Sequence, residues 1–137
     1  MFHKTLIAVG ALLAGSAFAQ ANVGELLAAG GSKLSKEELQ HIYAGGVTMK
    51  GTLGNGSPYS QWNKADGSVG GSAGNAGQFS LSGSWKIDDA GRFCQDVSAS
   101  GGLKFNNCLV AWKSGTKYFM SADEAATTVV RERQFVK

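Results

Sequence analysis

The chain has 137 residues, which is enough for one domain with its own hydrophobic core. Thirteen basic and ten acidic residues give a net charge of +3, and the lysines are scattered, which argues against nucleic-acid binding. Glycine occurs 20 times and proline once, and this composition does not fit a disordered linker.

The N-terminal segment has the features of a cleavable signal peptide. Lys4 supplies a basic start, an uncharged run covers residues 5–18, and Ala17-Phe18-Ala19 forms an A-x-A cleavage site before Gln20. The run is shorter than the roughly 20 residues of a membrane-spanning helix. An uncleaved anchor is the alternative interpretation.

We therefore expect residues 1–19 to be removed on export and residues 20–137 to form a single β-rich domain. Among the charged residues, cleavage removes Lys4 alone, which lowers the net charge of +3 by one. The predicted location is periplasmic or secreted, with no stable membrane span after cleavage.

One clear helix is predicted before the strands begin, over residues 35–44, and one or two helical turns are indicated ahead of it over residues 22–29. In the clearer helix, Ser35 and Glu38 have the spacing of a capping box, in which each side chain bonds the other's backbone amide. Gly45-Gly46 supplies a C-terminal stop.

From Val47 onward the hydrophobic pattern changes to period two. It predicts strands over residues 47–51, 59–63, 79–87, 92–97, 108–112, 117–120 and 127–136. Short polar turns between them favour a mostly β fold, a small curled antiparallel sheet or barrel-like sandwich of about seven strands preceded by one short α-helix. Residues 69–78, rich in glycine and serine, are predicted to be a mobile loop.

Cys94 and Cys108 are the two cysteines of the chain. In an exported protein an even number of cysteines predicts a disulfide bond. Both lie in strand-like segments, and the polar stretch 95–107 can turn the chain back between them. We expect antiparallel neighbours joined by a bridge, with two free buried thiols as the alternative.

No catalytic or metal-binding motif stands out. The exported part contains one histidine, His41, placed partly toward solvent on the predicted helix. Asp88 and Asp89 lie in a turn, where aspartates usually bond their own backbone. One histidine and two oxidised cysteines do not make a zinc site. We therefore predict a non-enzyme without metal or cofactor.

The aromatic residues are more informative. Tyr59, Trp62, Trp112 and Tyr118 are candidates to face a ligand if the curled sheet encloses a cavity. The alternative, which the sequence favours, is that the aromatic residues fill a closed core.

Residues 83–94 contain a G-x-W strand, a short acidic turn and a G-R-x-C strand. In this they resemble a bacterial secreted domain family of unknown function. The helix ending in Gly45-Gly46 and the stretch 59–67 are also similar, so the resemblance covers about residues 34–112. It departs from the family at the 69–78 insert. The resemblance implies a fold and a disulfide, and the family has no assigned activity to transfer.

The sequence thus favours a non-enzymatic binding module for a small apolar ligand or a protein partner. An envelope-associated structural or inhibitory protein acting through the exposed loop 69–78 is an alternative, and a hydrolase with an unfamiliar site is a third. Aromatic residues converging on an open pocket would favour the first. A cleft holding two carboxylates or His41 would favour the third.

Overall fold

A computed structural model of the chain describes residues 21–137, so the predicted signal peptide and its cleavage site lie outside the described residues. Two helices, α1 (Val23–Ala28) and α2 (Lys36–Tyr43), lie where short helices are predicted. Neither of these two helices is long and apolar enough to cross a bilayer. The strands are β1 (Ser32–Lys33), β2 (Val47–Thr52), β3 (Pro58–Asn63), β4 (Ser68–Ala73), β5 (Phe79–Ile87), β6 (Phe93–Ala99), β7 (Lys104–Ser114), β8 (Lys117–Ser121) and β9 (Val130–Val136).

The strands β2 to β9 close into an eight-stranded antiparallel barrel. Each pairs with the next along the chain, and β9 returns to pair with β2. The short β1 is an extra strand, and its residues Ser32 and Lys33 pair with Lys113 and Trp112 of β7. The predicted fold class, a mostly β fold with a small curled antiparallel sheet or barrel-like sandwich preceded by a short helix, is confirmed. The structure has eight barrel strands and one extra strand where about seven strands are predicted.

The prediction of a mobile loop over residues 69–78 is wrong for its first half, which is strand β4, paired on both sides with β3 and β5. The hydrophobic pattern fails here because small residues stand where strands usually place large ones. Gly71 has φ +116°, and a Cβ atom on it would lie 2.1 Å from the carbonyl oxygen of Ser60. Only glycine allows the two strands to approach so closely.

Helix α2 closes one end of the barrel. Its start is the predicted capping box, in which Ser35 Oγ accepts from the Glu38 amide and Glu38 Oε1 accepts from the Ser35 amide. Leu39 and Tyr43 are fully buried among inward-facing core residues of the barrel. The Tyr43 ring stacks on Phe93, with ring centroids 5.0 Å apart.

Helix α1 packs on the outside of the barrel instead. It buries Val23 and Leu26 against outward-facing residues of β7, β8 and β9. The cluster comprises Val23, Leu26, Val110, Trp112, Phe119 and Val130. Because strand residues alternate between the two faces, these strands are covered on both sides, by α1 outside and by the core inside.

The predicted disulfide is present between β6 and β7. Cys94 and Cys108 stand directly opposite each other in the strand register, with Cα atoms 3.9 Å apart. The bond therefore pins the pairing of two adjacent barrel strands.

Candidate functional site

The barrel end opposite α2 opens into a cavity of about 350 Å³. This volume lies in the range of small-molecule sites, about 300–1,000 Å³. The cavity is lined by Thr52, Leu53, Gly54, Tyr59, Gln61, Gln95, Phe105, Asn107, Leu109, Met120, Ser121, Ala122, Thr128, Val129, Arg131 and Arg133.

Strand β7 explains why the barrel is open beside this cavity. Within residues 21–137, β8 pairs with β7 only along Val110–Ser114, so the stretch 104–109 is paired with β6 alone. Phe105 and Leu109 of that stretch face the cavity from an edge that carries no further strand.

Three side-chain amides of the cavity wall, Gln61, Gln95 and Asn107, belong to one hydrogen-bonded row that continues to Asn63. Gln61 Nε2 donates to Asn63 Oδ1 and to Gln95 Oε1, both at 2.9 Å. Gln95 Nε2 in turn donates to Asn107 Oδ1 at 3.0 Å. Because β3 and β6 are not neighbours in the sheet, the Gln61–Gln95 bond spans the interior of the barrel. The row is a polar layer between the core beneath α2 and the open end.

Arg133 extends from β9 into the same cavity although the residue is only 8% exposed. Its Nη1 donates to the carbonyl oxygen of Glu132 at 2.8 Å, and its guanidinium carbon lies 5.2 Å from the Tyr59 ring centroid. In the described part of the chain, Arg133 Nε is the one buried side-chain nitrogen or oxygen without a hydrogen-bond partner. Burial lowers the pKa of the Arg133 guanidinium.

The cavity has an unbalanced positive charge. Arg131 is an exposed second arginine in its wall, and no aspartate or glutamate is among the described residues that line it. The ion pairs found between residues 21 and 137 involve neither Arg131 nor Arg133.

The four aromatic residues predicted to face a ligand occupy different places. Tyr59 lines the cavity, and its burial raises its pKa. Trp62 is on the outer surface and is 52% exposed, whereas Trp112 is buried beneath α1 on the outside of the barrel. Tyr118 packs edge-on against Phe135, with ring centroids 5.3 Å apart, away from the cavity wall. The cavity is thus bordered by one of the four.

Sequence reasoning missed the polar residues Gln61, Gln95 and Arg133. They occupy inward-facing strand positions, where patterning looks for apolar residues. Their distance in sequence from aromatic residues could have revealed them. Gln61 is two residues from Tyr59, and Arg133 is two residues from Phe135. Extending the period from those aromatic residues would have placed both polar side chains inside the barrel.

The other groups considered for chemistry lie elsewhere. His41 is exposed on α2. Asp88 accepts hydrogen bonds from the Arg92 backbone amide and guanidinium, and the backbone bond contributes most to lowering its pKa. Asp88 also lies near the sulfur atoms of Cys94 and Cys108. These sulfurs are bonded to each other, so they do not supply the thiolates that a soft metal ion needs.

Comparison with protein families, curated proteins and solved structures finds no match to this chain. The resemblance of residues 83–94 to a secreted family therefore stays a prediction. The candidate function rests on the geometry and chemistry of the cavity itself.

Proposed function

We propose that this chain is a non-enzymatic binding protein that holds a small, largely apolar molecule in the open half of its barrel. The observation that supports this most directly is the cavity of about 350 Å³ opposite the end closed by α2. Leu53, Phe105 and Leu109 give it an apolar wall. Eight-stranded barrels whose interior is not filled by side chains have room for one small ligand.

Paired strands and a disulfide make the wall of the cavity rigid, and a rigid wall favours ligand binding. Gln95 and Asn107 lie opposite each other on β6 and β7, next to the disulfide-bonded pair Cys94 and Cys108. A site whose walls are already ordered loses less conformational entropy when a ligand binds. The disulfide is also compatible with the exported location predicted from the sequence.

The side chains of the cavity support a role without catalysis. General acid–base chemistry at neutral pH usually uses histidine or a carboxylate. The described residues that line the cavity include neither, and the amides of Gln61 and Gln95 do not exchange protons in that range. The hydrolase alternative therefore lacks a histidine or carboxylate among the described residues of the cavity wall.

A protein partner is a second candidate, favoured by the edge of β7. The stretch 104–109 has no strand on one side among the described residues, and such an edge can accept a strand from another chain. Binding of a partner there and binding of a small molecule in the cavity predict different effects of side-chain substitutions inside the barrel.

A neutral apolar fluorophore, N-phenylnaphthylamine, tests the small-molecule proposal. We expect a saturable rise in fluorescence with the wild-type protein and several-fold weaker binding by Phe105→Ala, because Phe105 lines the cavity. Phe79→Ala is the matched control, because Phe79 is 37% exposed and outside the cavity wall. A folded wild-type protein that does not bind the fluorophore, or equal weakening by both variants, would count against the proposal.

A further inference from the structure

Arg133 is a buried cation with no counterion among residues 21–137. The residue is 8% exposed, one of its donors reaches a backbone carbonyl, and its Nε has no partner among the described residues. Buried charges in proteins are normally paired, because removing a charge from water is costly. Since no acidic group among residues 21–137 pairs with it, the guanidinium is available to an anion from outside the described part of the chain.

The described part of the chain places no acidic group beside Arg133. Glu132 is adjacent in sequence, but its carboxylate lies 3.9 Å from Lys117 Nζ and is on the opposite face of β9. The remaining described residues of the cavity wall are neutral, apart from Arg131.

Two contacts hold the guanidinium in position. The Tyr59 ring lies 5.2 Å from the guanidinium carbon, and the Glu132 carbonyl accepts from Nη1 at 2.8 Å. Gly51 leaves the space that the side chain occupies. An arginine supported in this way presents its N–H groups in a fixed fork, which matches the two oxygens of a carboxylate.

We infer that the ligand is an amphipathic carboxylate, whose anionic group pairs with Arg133 and whose apolar body contacts Phe105 and Leu109. This inference rests on the proposed binding function and adds the charge of the ligand to it. Its main support is charge complementarity between an anionic ligand and the cavity. The described cavity wall contains arginine and lacks acidic residues.

Three eight-carbon probes with different head groups test the inference by titration calorimetry: octanoate, octanol and octylammonium. We expect octanoate to bind at least about tenfold more tightly than octanol, a difference of about 1.4 kcal/mol. Octylammonium is expected to bind most weakly, because the cavity is positively charged. Arg133→Met should remove the preference for octanoate, and Arg133→Lys should retain part of it.

Lys86→Met is the control for net charge, because Lys86 is an exposed residue of β5 outside the cavity wall. It should keep the preference for octanoate. Arg133→Met is expected to melt at or above the wild-type temperature, since it replaces an unpaired buried charge by an apolar side chain. If that variant does not fold, loss of the preference in Arg133→Gln gives the same test.

The outcomes separate this inference from the proposed function. Equal affinities for octanoate and octanol would overturn the anionic ligand and leave a binding protein for neutral molecules. A preference for octanoate that survives in Arg133→Met would overturn the assignment to Arg133. If neither the three octyl compounds nor N-phenylnaphthylamine binds the folded protein, the binding function itself is overturned.

Discussion

The side chain of Arg133 lies directly over Gly51 on the neighbouring strand. A Cβ atom built on Gly51 would be 2.8 Å from Arg133 Nη1 and 2.9 Å from its Cδ, closer than such contacts occur. The absence of a side chain at position 51 is therefore what allows the guanidinium to occupy its place in the cavity.

Gly51→Ala is expected to displace Arg133 without removing it. The octanoate affinity should fall several-fold, and the free energy of unfolding should fall by about 1 kcal/mol, the lower end of overpacking effects. Calorimetric titration and thermal unfolding measure the two effects. Gly70→Ala is the control, because the nearest atom to its Cβ would be Lys64 Cε at 3.6 Å. Unchanged octanoate binding by Gly51→Ala would contradict this account.

Reduction of the Cys94–Cys108 bond should lower stability strongly. The cysteines are 14 residues apart, and the chain-entropy model assigns about 3 kcal/mol to a loop of that length. Urea unfolding of the Cys94→Ser/Cys108→Ser double variant beside the oxidised wild type measures the loss. Two reactive thiols in the folded protein purified without reductant would show that the bridge does not form.

Trp85→Ala is expected to reduce the free energy of unfolding by about 3 kcal/mol, the lower end of the range for large aromatic residues. Trp85 is half-buried, its ring centroid lies 5.0 Å from that of Tyr43, and its Nε1 donates to the Lys64 carbonyl at 2.8 Å. The exposed Trp62 gives the control, since Trp62→Ala should change stability by less than about 0.5 kcal/mol. Chemical denaturation of both variants provides the comparison, and equal losses would contradict the packing described.

The ion pair of Glu38 with Lys113 is expected to make a pH-dependent contribution to the free energy of unfolding. The hydrogen bond from Lys113 Nζ, at 2.6 Å, is the main cause that lowers the pKa of Glu38 from 4.5 to about 2. Because the folded pKa is below the unfolded value, the contribution is complete above pH 4.5 and is lost as the pH falls toward 2.

The variant Glu38→Gln keeps a side-chain oxygen that can accept from the Ser35 amide, but it loses the negative charge. Its melting temperature should be lower than the wild-type value at neutral pH, and the two should converge near pH 2. Glu37 lies on the exposed side of the same turn. The difference in melting temperature between Glu37→Gln and the wild type should not shrink in this way toward pH 2. A constant difference between Glu38→Gln and wild type across this range would refute the ion pair.

The local elements of the fold follow from the sequence far better than the site does. Strand β5 and the capping box of Ser35 and Glu38 depend on neighbouring residues, which patterning reads directly. The cavity depends on Arg133 meeting Gly51 from the other end of the chain, and no local pattern contains that contact. Strand β4 is not predicted for a related reason, because its Gly71 is required by the close approach of the neighbouring strand β3.

The pairing of β9 with β2 also sets the order in which the molecule can form. Strand β9 joins the first strand of the cylinder, through contacts such as Thr48 with Val136. No earlier described strand completes the ring, so the cylinder forms only after residues 130–136 are available. Until then β2 and β8 each have an exposed edge, and pairing between unfinished copies competes with folding.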